Sequence, residues 1–138
     1  MKGIFVDSDV ILDVLLEREP FRENAILAIE KCLDQKLGLY FTSVIIANIY
    51  FVARKWHPDK VVRQKIKELL THIDILNTDK NSVFLALDSN FKDFKDALQN
   101  YSAVASGKID TIITRNIKDY KHSQLAVMTP ELFLKSYL

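Results

Sequence analysis

Five short apolar runs, separated by longer stretches of helical periodicity, constrain this chain of 138 residues more than any other feature. Ile4-Phe5-Val6, Leu39-Tyr40-Phe41, Ile73-Asp74-Ile75-Leu76, Thr111-Ile112-Ile113 and Ala126-Val127-Met128 carry β-branched or aromatic residues and end at polar ones, as short strands do. Between them the apolar residues fall at helical spacing. One stripe is Ala25, Leu27-Ala28-Ile29 and Cys32-Leu33, with Gly38 expected to stop it. Others are Val61-Val62, Ile66, Leu69-Leu70; Val83-Phe84, Leu87; and Phe94, Ala97-Leu98, Tyr101, Val104-Ala105, closed by Gly107. Thr129-Pro130-Glu131 reads as an N-cap, a Pro at the first helical position and an acidic first turn. Strands separated by helices pair in parallel through right-handed crossovers, so the expected fold is a three-layer α/β/α domain with a central parallel sheet of about five strands. No repeat, low-complexity tract or linker divides it, so residues 1–138 are read as one domain of ordinary size.

Hydrophobic residues make up 49% of the chain, enough for a packed core. The formal net charge of +1 means that any nucleic-acid site is local. Cys32 has no second cysteine to pair with and falls between Ile29 and Leu33, as a core residue would. Met1-Lys2-Gly3 runs directly into the first apolar run, which Asp7 interrupts, so no signal peptide is expected. The longest apolar run, Val44 to Ala53, is broken by Asn48 and is too short to span a bilayer. A cytoplasmic protein without a membrane partner is the expectation.

Open parallel sheets place their sites at the carboxyl ends of the strands. That rule selects Asp7-Ser8-Asp9, Thr42-Ser43, Asn77-Thr78-Asp79, Thr114-Arg115-Asn116 and Thr129. Asp7 is read as the end of the first strand, where a carboxylate beside the core needs a partner, a hydrogen bond or a metal. Ser8 or Asp9 is read as the cap of the next helix, with Asp9 and Asp13 on one face of it. Asp93 and Asp96 open a later helix; capping and attraction to the helix dipole account for them as well as a site does. Asp96 borders the apolar stripe, which makes it the better ligand candidate. Asn48, the polar exception in an otherwise apolar helix, is either bonded to backbone or part of the site, and that helix is expected to be largely buried or in an interface. Carboxylates converging without a Cys or His cluster suit a hard ion such as Mg²⁺ or Mn²⁺, and phosphodiester hydrolysis is the natural chemistry.

These motifs resemble a known family. Phe5-Val6-Asp7-Ser8-Asp9-Val10-Ile11-Leu12-Asp13 resembles the opening of PIN domains, Asp93-Phe94-Lys95-Asp96-Ala97-Leu98-Gln99 the segment carrying their later acid, and Asp110-Thr111-Ile112-Ile113-Thr114-Arg115-Asn116 their closing strand and turn. In this order they cover nearly the whole chain, and they look most like the toxin-type (VapC-like) ribonucleases of type II toxin–antitoxin systems. The resemblance implies a Mg²⁺- or Mn²⁺-dependent endoribonuclease acting on RNA, often a homodimer, held inactive by a small antitoxin. It makes Asp7 the first acid and Asp96 the third, with Asp9 and Asp93 as further metal carboxylates. Ser8 and Thr114 take the hydroxyl positions bordering the site. Asn48 and Asn116 stand at catalytic positions where the family usually has acids; Asp9, Asp93 or Asp119 are candidates to restore the lost charge.

Arg115 and Lys118, beside Thr114 and Asn116, are the expected phosphate contacts, while Lys60, Arg63 and Lys67 read as a solvated helix face. Trp56 and Tyr120 are candidates to stack on bases or to pack in a core or dimer. His57, His72 and His122 occur in unrelated segments and are read as surface or helix-end residues. Two rivals stand beside the nuclease: a PIN-like RNA- or protein-binding module with little or no catalysis, motivated by Asn48 and Asn116, and a haloacid-dehalogenase-like phosphatase using Asp7 as nucleophile and Asp9 as acid/base. A receiver-like signalling domain fits less well, because Asn77 stands where its third strand should end in Asp.

Overall fold

A computed structural model of the chain describes residues 3–136. Met1 and Lys2, at the head of the leader reading, and Tyr137 and Leu138, at the end of the expected domain, lie outside the described residues. All five expected strands form: β1 (Gly3–Val6), β2 (Gly38–Thr42), β3 (Asp74–Leu76), β4 (Thr111–Ile113) and β5 (Ala126–Met128). They make one parallel sheet in the order β3-β2-β1-β4-β5, with Ile4 opposite Leu39 and Thr111, and Phe5 opposite Tyr40 and Ile112.

The helices are α1 (Ser8–Leu15), α2 (Arg22–Asp34), α3 (Ser43–Ala53), α4 (Asp59–Leu69), α5 (Lys80–Leu87), α6 (Phe94–Ser106) and α7 (Pro130–Lys135). The crossovers through α1–α4 step from β1 out to the β3 edge, whereas α5 and α6 carry the chain back past β1 to β4. Right-handed connections running in opposite directions put their helices on opposite faces, which gives three layers. α5 packs on α6, and α2 on α1 and α7.

The central strand β1 is buried along its whole length, and for this reason it reads as a continuous apolar run rather than an alternating one. Gly3 at its start is required by a close approach: a Cβ there would lie 2.5 Å from the Lys108 carbonyl oxygen. Cys32 is fully buried, as expected. α3 is less covered than its composition implies: Ile45, Ile49 and Ala53 face the core, but Phe51 is 68% exposed. No helix among the described residues is long and apolar enough to cross a membrane.

Two helices end on a left-handed residue that is not glycine. The expected stop, Gly38, is instead the first residue of β2; α2 is closed by Lys36 (φ 56), whose N–H donates to the Leu33 carbonyl while Leu37 N–H donates to Cys32. Glu17 (φ 52) closes α1 in the same way, with Arg18 N–H on the Asp13 carbonyl. Both are Schellman ends, in which the turn satisfies the last carbonyls through a conformation that L-residues disfavour. Gly107 (φ 68) ends α6 as expected. Because Lys36 is exposed, Lys36→Gly is expected to stabilise the fold by about 1 kcal/mol in urea denaturation; a loss of stability would contradict the strain assigned to this turn.

Candidate active site

The strand order reverses between β1 and β4, and the carboxyl ends of these two strands carry the centre of the site. Asp7 does not belong to the strand, and neither Ser8 nor Asp9 caps the helix. Asp7 is itself the N-cap of α1 (φ −71°, ψ 156°). Its Oδ1 accepts the Ser8 N–H at 2.7 Å and its Oδ2 the Thr114 hydroxyl at 2.8 Å. Strand pairing fixes both ends of the second bond: Asp7 N–H donates to the Ile113 carbonyl and Thr114 N–H to Met128. Asp9, in the first turn of α1, collects donors on Oδ2: Arg115 N–H at 3.1 Å, the Asn116 amide at 3.3 Å and the Thr114 hydroxyl at 3.4 Å. Asp9 Oδ1 is buried with no hydrogen-bond partner.

From the opposite layer, α6 brings Asp96 to the same place. Asp93 caps α6 through the Asp96 N–H at 3.0 Å and is exposed, so the capping role accounts for its position. Asp96 is 7% exposed. The Tyr120 hydroxyl lies 3.4 Å from Asp96 Oδ1 and 3.2 Å from Gln99 Oε1. Tyr120 is therefore a buried partner of the acidic centre and cannot stack on a base. Gln99, one turn beyond Asp96, is fully buried with Nε2 unpartnered. Sequence reasoning missed Gln99, although an amide set three residues after Asp96 on an apolar stripe was a usable signal.

Arg115 also departs from expectation. Its guanidinium makes a bidentate pair with Asp13 (Nε–Oδ2 2.7 Å, Nη2–Oδ1 3.1 Å) and stacks on the Phe21 ring at 3.9 Å. Held by these partners, it is not a free phosphate contact. Asp13 is fully buried and takes a second ion pair from Arg18 Nε at 2.8 Å, while Arg18 Nη2 donates to the Asp9 carbonyl at 3.1 Å. The left-handed turn at Glu17 returns Arg18 to this position. The two arginines on Asp13 thus hold Asp9 from both ends, through its carbonyl and, by way of the Arg115 backbone, through its carboxylate.

Ser8 and Thr114 are buried, the Ser8 hydroxyl accepting from Asn48 and the Thr114 hydroxyl donating to Asp7, so both are engaged within the protein. Asn48 is half-buried and donates to Ser8 Oγ at 3.1 Å, which attaches α3 to the cluster. Asn116 is exposed, its N–H on Thr114 Oγ1 and its amide on Asp9. Lys118 is exposed on the 3-10 turn Ile117–Tyr120. The remaining strand ends serve other purposes: Thr42 caps α3, Asp79 caps α5 and Thr129 caps α7. The latter two follow β3 and β5, the edges of the sheet, away from the point where the order reverses.

Burial above all, and then mutual repulsion, raises the pKa of each central acid. Asp7 is raised by desolvation and by Asp96, against the opposing bonds from Thr114 and Ser8. Asp9 is raised by desolvation and by Asp7. Asp96 is pushed up to about 6 by desolvation and by Asp93, with Lys95 opposing. Among the described residues no ready cage of three or more ligating side chains exists. The donor set nevertheless fits a hydrated Mg²⁺ or Mn²⁺, which binds through one or two carboxylates and keeps several waters, and Asp9 Oδ1 is an unpartnered acidic oxygen at the same place.

Residues 3–118 match the model of the PIN domain family. The chain is 31% identical over 139 aligned positions to Ribonuclease VapC1 of Aquifex aeolicus, covering 97% of this chain and 94% of that protein. Its fold resembles a toxin-antitoxin complex from Klebsiella pneumoniae (TM-score 0.64, 20% identity, 93% of this chain and 97% of that chain). It also resembles VapBC2 of Rickettsia felis bound to a promoter DNA fragment (TM-score 0.61, 14% identity, 91% and 96%).

An acid whose folded pKa is raised binds more protons folded than unfolded between its two pKa values, so stability falls as pH rises through that window. Without metal, thermal unfolding in a chelator is expected to show the protein losing stability from about pH 4 to at least about pH 6 through these groups. Asp9→Asn is expected to raise the midpoint by several degrees at neutral pH and by little near pH 4. A wild-type midpoint that rises across this window, with no gain from Asp9→Asn, would contradict the electrostatic account.

Proposed function

The chain belongs to the PIN domain family, and we propose that it is a Mg²⁺- or Mn²⁺-dependent endoribonuclease, the toxin of a toxin–antitoxin pair. The observation that carries this reading is the convergence of Asp7, Asp9 and Asp96 at the reversal point of the sheet, with one buried carboxylate oxygen left without a donor. Asp7 and Asp96 would hold the ion, with Asp9 beside them and Asp93 adding negative charge at the end of α6. When bound, the ion supplies Lewis-acid polarisation of the phosphodiester and lowers the pKa of an attacking water. The protein's own groups do the positioning. Thr114 holds Asp7 through its hydroxyl, Tyr120 lies on Asp96, and the Arg115 N–H and Asn116 amide occupy Asp9 Oδ2 so that Oδ1 stays available. Lys118 would meet substrate phosphate.

The names of its relatives support a small antitoxin protein as partner. Phe51 in the last turn of α3 and Trp56 just beyond it, 68% and 71% exposed, support a homodimer. A cytoplasmic location follows from this reading. The family assignment displaces the phosphatase, but the structure favours one further alternative. Asn48 donates its amide to Ser8 and Asn116 brings no charge, which suits a PIN-like binding module with weak catalysis.

One assay separates them. With Mn²⁺ or Mg²⁺, wild-type protein is expected to cleave RNA, and Asp7→Asn or Asp96→Asn to lower the rate by roughly 100-fold or more. Wild type that neither cleaves nor binds metal would overturn the enzyme reading. Release of phosphate from a monoester without RNA cleavage would contradict the nuclease.

A further inference from the structure

A groove of about 260 Å³ is lined by Lys92, Lys118, Lys121, His122 and Asp119. Its two walls each begin within a few residues of the acidic centre. Lys118 and Asp119 lie on the 3-10 turn whose Tyr120 reaches Asp96, and Asp119 is close enough to raise the Asp96 pKa. Lys92 precedes Asp93, the cap bonded to the Asp96 N–H. Phe91 ties the walls together, its ring edge-on to Tyr120 at 6.1 Å and to His122 at 6.2 Å. Lys92, Lys118 and Lys121 are all exposed, and among the described residues none of them makes an ion pair. By contrast, the arginine expected to contact phosphate, Arg115, is paired with Asp13.

Three lysines concentrated around one small groove, on a chain whose formal charge is only +1, make a local field for a polyanion. Lysine serves as a point charge for phosphate and needs no fixed fork geometry. At about 260 Å³ the groove has room for a short stretch of one backbone strand.

We propose that this groove binds the backbone phosphate of single-stranded RNA next to the phosphodiester being cleaved, with Lys92, Lys118 and Lys121 as the phosphate-binding residues. This rests on the nuclease reading and assigns the substrate its path. The strand leaves the acidic centre along the 118–122 segment, not over the Asp13–Arg115 side. The lysines take no part in the chemical step; they govern affinity.

The test measures binding of a short single-stranded RNA of mixed sequence by fluorescence anisotropy across a salt series, using Asp7→Asn protein so that the RNA survives. Each phosphate contact on single-stranded nucleic acid contributes a slope of about 0.7 in log K against log salt. The combined substitution of Lys92, Lys118 and Lys121 by Ala is expected to reduce the slope by about 2 and weaken binding at low salt by at least about tenfold. The same three substitutions in the active protein should raise KM while leaving kcat within about twofold. Substitution of Lys60 and Lys67 on α4 should change neither quantity. An unchanged slope for the triple variant, or an equal loss from the α4 variant, overturns the proposal and leaves the nuclease reading standing. Asp7→Asn protein with its lysines intact that binds no single-stranded RNA at low salt overturns both.

Discussion

Three acids taken out of water beside one another set the terms for the rest of this structure. A buried carboxylate is costly unless donors or a cation compensate it. The fold brings Asp7 and Asp9 from one face of the sheet and Asp96 from the other, and surrounds them with polar groups that hold their orientation without neutralising them. The Thr114 hydroxyl, the Ser8 and Arg115 amides and the Tyr120 phenol are all neutral donors. Arg18 and Arg115 are ion-paired to Asp13, so much of their charge is matched by a carboxylate outside the centre, and Lys95 and Arg115 offset the raised pKa values only in part. Donors that orient without discharging, together with a cluster that repels itself, are the arrangement expected of a cation site.

The Asp13 ion pairs show how the scaffold supports this. Asp13 is fully buried, yet its partners are 35% and 27% exposed, so they can enter from the surface and reach inward. One is delivered by the left-handed turn that ends α1, the other by the turn after β4. Their backbones and side chains then fix Asp9, and the same turn presents Asn116 and Lys118 to solvent.

Much of this was legible in the sequence. The strands could be read because each is a short apolar run bounded by polar residues, and the layer order follows from strand-helix alternation. Asp7 stood out because no apolar strand needs an acid at its end. What failed was of two kinds. Local geometry misled where neighbouring residues were equally able to fill one structural role. Lys36 rather than Gly38 closes α2, and Asp7 rather than Ser8 or Asp9 caps α1. Long-range pairing could not be read at all. Arg115 resembled a phosphate ligand until its partner, 102 residues away, was in view, and Tyr120 stood open between stacking on a base and packing in a core or dimer until its buried hydroxyl was seen near Asp96. Asp96 itself was separated from an ordinary helix-start acid by likeness to a family motif; the fold brings it to the same site as Asp7.

Acids that share a cation site and are raised in this way are partly protonated in the absence of the ion. Calorimetric titration with Mn²⁺ near pH 6, repeated in buffers of different ionisation enthalpy, reads both the binding and the protons released. Metal binding is expected with release of about one to two protons near pH 6, shrinking toward none above about pH 8, and with loss of binding in Asp7→Asn. Binding without proton release at pH 6, or equal binding by Asp7→Asn, would contradict a shared, partly protonated cation site.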